Sequence, residues 1–500
     1  MSDSSRDTAE GAGWGAPELG TYKRLMPPRV EKISWLDPKM LWAARNGVLA
    51  SWFGDPTGRT RSRWVAQRTA AGAPADKVIR RDDPDRFSFL VIGDTGEGDD
   101  PQYAVVPGLL KTGQDTRFAV LASDVIYPVG SADDYGTKFF RPYQDYRAPI
   151  YAIPGNHDWY EDLGAFMRVF CDDAPPLAPE PAPRPLSRAR LRSLLWHRPR
   201  KGDGHHLADA RKLRSAEVQQ AFQPGPYWAI DAGPVRIIGI DTGLLGTIDA
   251  EQGAWLREVS KDPRPKILIT GSPLYVDGEH HPCTIEGGGT VDEIVRDAAH
   301  RYVAAIGGDI HNYQRYPVQV DGRTIQYVVA GGGGAFMHAT HTIPRVDVAN
   351  VTEKDFRCYP LRGDSLAFYS KLYGRRLRLR RFFTVTEAEA AAVVAERLGI
   401  PLTRAQQTTT RITWRTRLVA SLLGAGRRPD RTARFRLPVR KIYTQLFSPS
   451  SATYSPPFFK CFLRLDVTPE TVRLRCYAAT GNRALEVDPP VEDEVTIPLH

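Results

Sequence analysis

Gly307-Gly308-Asp309-Ile310-His311-Asn312-Tyr313-Gln314-Arg315 is the stretch on which the reading of this 500-residue chain turns. It follows the apolar run Tyr302 to Ile306, which reads as a buried strand, so its polar side chains stand at a strand end. Four shorter segments lie upstream. In order they are Gly93-Asp94-Thr95-Gly96, Ser123-Asp124-Val125-Ile126-Tyr127, Gly155-Asn156-His157-Asp158 and Gly271-Ser272-Pro273-Leu274-Tyr275. All but the last offer an oxygen or nitrogen donor beside a strand. Alone, any one of them is a common turn; in this order they compose a metal-ligand set.

Short apolar runs explain the placement. Phe87 to Ile92, Phe118 to Ala122, Ile150 to Pro154, Val235 to Ile240, Lys266 to Thr270 and Gln326 to Ala330 repeat the pattern of 302–306. Helical stretches, Gln102 to Thr112 and Asp249 to Ser260, lie between some of them. Strands alternating with helices predict an α/β layered domain with ligands at the carboxyl ends of its strands.

The donors are of distinct kinds. Asp94, with Gly96 two positions on, sets a carboxylate where backbone can approach closely. Tyr127 stands three residues after Asp124, and a phenolate suits a hard trivalent ion such as Fe(III). The Asn156 carbonyl can bind a metal while the adjacent His157 faces a substrate. His311 is a further nitrogen ligand, and Asp309 points the same way if both lie on an extended segment. Gly331 to Gly334 lacks the Lys-Ser/Thr of a phosphate loop and reads as a turn.

These motifs resemble the calcineurin-like metallophosphoesterases, and within them the purple acid phosphatase branch, whose blocks run GDxG, GDxxY, GNH(D/E), VxxH and GHxH. Gly96 stands where other members carry a histidine, and Tyr127 is the tyrosine of the second block. The resemblance covers roughly 87–335. It implies an α/β fold, a layered metallophosphoesterase-type β-sandwich flanked by helices. It also implies hydrolysis of a phosphate ester, monoester or diester, by a metal-activated water held between two metal ions. Asp94, Asp124, Tyr127 and His311 would bind the first metal, Fe(III). Asp124 would bridge to a second metal shared with Asn156. The family's two remaining histidines are replaced here by Gly271 and Asp309. Asp124, Asn156 and Asp309 leave an oxygen-only second site, which favours Mn2+ or Mg2+ over Zn2+, with Fe2+ also possible for the family. His157 would hold the phosphate, and His280 or His281 would protonate the leaving group. The alternative implied by the two replacements is a degenerate relative that binds phosphorylated ligands without turnover. Arg315 reads as a structural ion-pair partner.

The rest of the chain is read by composition. Residues 1–20 form a polar tail expected to be disordered, and 21–85 an N-terminal extension around Trp35, Trp42, Trp52 and Trp64, with one short helix over Met40 to Trp52. The metallophosphoesterase domain spans 86–340. A proline-rich and basic insertion at 172–225, helical from His205 to Gln220, reads as a rim element, either a lid or a passive loop. Residues 341–500 pack on the core, with a helix over Glu387 to Leu398 and a final β-hairpin made of Phe462 to Val467 and Val472 to Tyr477. Five scattered cysteines point to a reducing, cytoplasmic setting. No run of about 20 apolar residues exists, so no membrane span and no membrane partner is expected. A net charge of +9 favours small phosphorylated substrates. The basic runs Arg375 to Arg381 and Arg427 to Lys441 lack interleaved stacking aromatics, which argues against nucleic acid.

Overall fold

The computed structural model describes residues 18–28, 30, 38–179, 184, 187–197, 204–401, 410–426 and 456–500. Trp35 and the basic run 427–441 lie outside these, as do residues 1–17 of the expected tail.

Two sheets face each other. One runs β1 (Val78–Arg80), β5 (Trp228–Ala232), β6 (Val235–Ile240), β7 (Lys266–Thr270), β10 (Tyr302–Gly307), β12 (Arg323–Ala330), β11 (Tyr313–Val320), β15 (Arg357–Tyr359). The other runs β18 (Val491–Pro498), β17 (Thr471–Ala479), β16 (Lys460–Val467), β2 (Phe87–Ile92), β3 (Phe118–Ala122), β4 (Ile150–Ile153). Two small ribbons, β8 (Tyr275–Val276) with β9 (Glu279–His280) and β13 (Asp347–Val348) with β14 (Val351–Thr352), lie outside them. The fold is an α/β layered β-sandwich flanked by helices.

Alternation along each strand divides the core. Phe89, Val91, Phe118 and Val120 meet Ile237, Ile267, Ile269 and Ile306 between the sheets. Their neighbours Leu90, Ile92, Ala119 and Leu121 face outward onto α4 (Asp100–Thr112) through Val105 and Leu109. On the far side, Ile238, Ile240 and Leu268 pack under α8 (Ala250–Ser260) and α9 (Val291–Arg296) through Leu256 and Val295. Each of the larger buried side chains stabilises the fold by about 1.5–3 kcal/mol. Strands covered on both faces read as unbroken apolar runs, which is why they stand out in the sequence.

Direction decides where the chemistry lies. β2, β3 and β4 are parallel, as are β6, β7, β10 and β12. Their carboxyl ends therefore open on one edge of the sandwich. Gly93 N–H donates to the Ala330 carbonyl across it at 3.1 Å.

The terminal hairpin is part of this sandwich. β16 pairs antiparallel with β2, from Leu463 opposite Val91 to Val467 opposite Phe87, and β18 extends the hairpin to a third strand. Residues 18–20 also belong to the folded body: Gly20 N–H donates to the Gly481 carbonyl at 2.9 Å. The helix expected over 40–52 is two, α1 (Pro38–Ala43) and α2 (Asn46–Phe53). The buried Asn46 side chain, bonded to the carbonyls of Tyr160 at 2.9 Å and His197 at 3.1 Å, fixes the break. Next comes α3 (Thr57–Ala70), whose buried Arg61 meets Asp241 at 2.7 Å.

The remaining helices decorate the edge. α5 (Gly164–Phe170) follows the third motif, and α6 (Arg188–Leu195) and α7 (Gly204–Arg211) occupy the insertion. The helix expected at 205–220 stops at Arg211 and continues as 3-10 turns. Trp196 donates to Asp162 at 3.1 Å and His197 N–H to Asn46 at 2.7 Å, tying the insertion to both extension and core. After β15 come α10 (Arg362–Arg376), α11 (Arg380–Phe383), α12 (Glu387–Leu398) and α13 (Trp414–Leu422). Among the described residues no helix is long and apolar enough to cross a membrane.

Candidate metal centre

Tyr127 is the hub. Its fully buried hydroxyl lies 3.1 Å from Asp94 Oδ1, 2.9 Å from Asp124 Oδ2 and 3.0 Å from His311 Nε2. The four residues expected at a first metal site thus meet at one point, from the loops after β2, β3 and β10. Asp94 and Asp124 both have positive φ, at 56° and 26°, which turns each chain sharply at its strand end.

Close backbone approach makes the arrangement possible. A Cβ at Gly96 would overlap the Val125 carbonyl, so no histidine fits there. One at Gly308 would lie 2.7 Å from Asp94 Oδ2, as would one at Gly331. Asp158 clamps two of the loops from beneath. Its Oδ2 accepts from Val125 N–H and Gly155 N–H, both at 3.0 Å, and its Oδ1 from Ile126 N–H at 3.2 Å.

His311 is set in one tautomer. Its Nδ1 lies 2.7 Å from the Phe336 carbonyl, which can only accept, so Nδ1 carries the proton and Nε2 turns its lone pair toward the cluster. Burial, then the neighbouring His338 and Lys460, holds this imidazole well below its usual range, hence neutral. His338 backs it directly: the rings stack at 4.5 Å and 7°, and His338 Nδ1 accepts from His311 N–H at 3.0 Å. Burial followed by the charges of Asp124 and Asp309 pushes the Asp94 carboxyl up. Burial followed by Asp124 and Asp94 pushes the Tyr127 phenol up. Several buried acids raising one another are what a multivalent cation relieves. Among the described residues no three His, Cys, Asp or Glu side chains alone are laid out as a metal shell; the convergent set includes a phenol. Two carboxylates, a phenol and an imidazole lone pair fit a hard cation.

The second-site residues gather less tightly. His157 N–H donates to Asp124 Oδ1 at 2.8 Å, placing Asn156 beside the bridging carboxylate. The Asn156 amide N–H donates to the Tyr160 hydroxyl at 3.2 Å. Burial, then Asp124 and Asp309, pushes the Tyr160 phenol up. Asp309 is not on an extended segment: its φ is 66°, and a Cβ at the preceding Gly308 would meet the Ala122 carbonyl and Ser123. Its N–H donates to both Asp94 oxygens, at 3.1 and 2.9 Å. At Gly271 a Cβ would meet Thr242 Oγ1 at 2.5 Å, so the threonine fills the place of a side chain there.

His157 lies over Tyr127, ring to ring at 4.4 Å, with Nδ1 held by the Pro128 carbonyl at 2.7 Å. The pair at 280–281 is placed otherwise. His280 stacks on Tyr275 and bonds Asp292 at 2.7 Å, alongside Arg296 and the Tyr327 hydroxyl. His281 is half exposed, with Glu279 at 3.9 Å. Arg315 pairs with Asp493 at 2.6 Å, a structural role as expected. Asp158, Tyr160 and His338 have no role in the sequence reading. Asp158 was visible as the last letter of its motif, whereas His338, 27 residues beyond His311, carries no signal.

Residues 87–313 match the family model for the calcineurin-like phosphoesterases. No curated protein matches the chain significantly. Among solved structures it is similar to a purple acid phosphatase, PPD1 from yellow lupin (Lupinus luteus) seeds, at 12% identity and a TM-score of 0.38 over 83% of this chain and 55% of that one. It is also similar to PhoD, at 9% identity and a TM-score of 0.33 over 82% and 72%. A third is TT1561 of Thermus thermophilus, at 13% identity and a TM-score of 0.28 over 49% and 89%. The chain thus spans about half the length of the lupin enzyme.

Proposed function

We propose that the calcineurin-like phosphoesterase domain at 87–313 makes this chain a metal-dependent hydrolase of phosphate esters, with a first metal site of the purple acid phosphatase kind. The observation that carries the reading is the Tyr127 hydroxyl within 3.1 Å of Asp94, Asp124 and His311. A phenol in that position favours Fe(III) as the first ion. Asp124, Asn156 and Asp309 form an oxygen-rich second site for Mn2+, Mg2+ or Fe2+, less suited to Zn2+. Bound there, the metals supply an activated water and Lewis acidity toward the phosphoryl oxygens.

The chain's own residues do the rest. Asp124 reaches both sites. His311 is held neutral and aimed by Phe336. His157, with its Nδ1 proton committed to the Pro128 carbonyl, presents Nε2 toward the phosphate and orients it. The leaving-group proton is assigned to His280 or His281 on the resemblance alone. The five cysteines are all free, which suits a reducing, cytoplasmic compartment.

The test is metal analysis of the purified protein together with turnover of chromogenic monoester and diester substrates. Two ions per chain, a visible phenolate-to-iron absorption lost in Tyr127→Phe, and hydrolysis abolished in Asp124→Ala are expected. One tightly held ion and no turnover with any added divalent ion would replace this reading by the degenerate, ligand-binding one.

A further inference from the structure

Far from the metal cluster in sequence, the turn joining α10 to α11 forms a cavity of about 610 Å³ lined by Arg375, Arg378, Leu379, Arg380, Arg381 and Phe382. Many described arginines have carboxylate partners, such as Arg61 with Asp241, Arg264 with Asp262, Arg315 with Asp493 and Arg464 with Asp115. The four around this cavity have none among the described residues. The nearby Glu387 acts on Lys371, whose own neighbour Arg375 is a like charge. Like charges packed round one turn repel, and local backbone physics does not favour them: Arg378 adopts a φ of 55°, and Arg380 and Arg381 open α11. The concentration is unexplained by the fold and fits an outside anion.

The apolar residues of the same turn narrow the class. Leu377 and Leu379 alternate with the arginines and stay 44% and 51% exposed. Arg415 Nη1 bonds the carbonyls of Phe382 at 2.9 Å and Thr384 at 2.7 Å, which docks the start of α13 on this turn. The next residue back, Trp414, is 71% exposed. Guanidinium groups around a cavity, flanked by projecting leucines and a tryptophan, match the boundary between phosphate headgroups and acyl chains.

We infer that the α10–α11 turn is a docking surface for an anionic lipid membrane, with the arginine cavity receiving phosphate headgroups and Leu377, Leu379 and Trp414 entering the acyl boundary. This surface would hold the chain against a membrane peripherally, against the expectation of no membrane partner drawn from the lack of a long apolar run.

The test is co-sedimentation of the full chain with vesicles of phosphatidylcholine alone or mixed with phosphatidylserine, at two salt concentrations. Binding to the mixed vesicles only, weakened by salt, is expected. Arg378→Glu/Arg381→Glu should lower affinity at least roughly tenfold, since each basic residue near such a surface contributes appreciably. Arg86→Glu/Arg473→Glu, with the same charge change elsewhere, should leave it near wild type. Leu377→Ser/Leu379→Ser should weaken binding while keeping its salt dependence. Thermal melting of each variant checks folding. Absence of binding, equal loss in both charge variants, or no effect of the serine variant would overturn the proposal. So would displacement by tripolyphosphate or single-stranded RNA at lower concentration than by the anionic lipid.

Discussion

Replacing Asp158 by alanine should undo the metal centre from beneath, though Asp158 donates nothing to a metal. Its two oxygens accept from the buried N–H groups of Val125, Gly155 and Ile126. Alanine leaves three donors without an acceptor, and a buried unsatisfied donor costs about 1–3 kcal/mol, so the loss should be about 3 kcal/mol or more. Asparagine keeps one carbonyl oxygen for the two donors at Oδ2 but turns an amide N–H toward Ile126, costing about 1–3 kcal/mol. The order wild type, Asn, Ala should therefore appear in urea midpoints followed by far-ultraviolet circular dichroism. Metal uptake should fall in the same order, because the clamp joins the loop bearing Asn156 and His157 to the loop bearing Asp124 and Tyr127. An alanine variant within about 0.5 kcal/mol of wild type, or an asparagine variant no better than alanine, would refute the clamp.

Gly96→Ala forces a Cβ into the Val125 carbonyl and should strain the Tyr127 N–H bond to the Gly96 carbonyl, 2.9 Å long. Melting temperature and metal content should both drop, whereas Gly164→Ala, with nothing within 4 Å of the new Cβ, should change neither. His341 gives a pH effect away from the site. Burial lowers its pKa from 6.5 to about 4; its Nε2 donates to the Leu423 carbonyl at 2.6 Å and its Nδ1 meets Ser365 Oγ at 2.8 Å. Because the folded value lies below the unfolded one, the contribution is complete above 6.5 and lost as pH falls from there toward about 4. Stability measured by urea should decline by about 2 kcal/mol on going to about pH 5, relative to His341→Gln, and parallel profiles would contradict it.

The sequence displayed the strands that are buried on both faces, because unbroken runs such as 118–122 and 266–270 have no other ready explanation. β5 and β11 were hidden. β11 carries Gln314 and Arg315 in its interior, both buried and partnered, which breaks the apolar signature. The four residues that meet at Tyr127 were legible because each sits in a short motif at a strand end. The extended segment on which the direction of Asp309 was conditioned is not formed, since Asp309 has a positive φ, a local turn that the motif does not announce. His338 and Tyr160 lie beyond motif reading because their places are set by packing onto His311 and His157.

The two halves of the centre differ in how firmly they are built, and the difference has a physical origin. Each residue that meets at Tyr127 is fixed by a group behind it: the Phe336 carbonyl and His338 for His311, the Asp309 N–H for Asp94, the His157 N–H for Asp124 and the Gly96 carbonyl for the Tyr127 backbone. Such support preorganises a shell and raises ligand basicity. The residues expected at the second site are held differently. The Asn156 amide is engaged by Tyr160, and the space beside Gly271 is filled by the Thr242 hydroxyl. Substituting a carboxylate and a glycine for two imidazoles removes soft nitrogen donors and leaves oxygens with room for water, the environment of a hard, exchangeable ion.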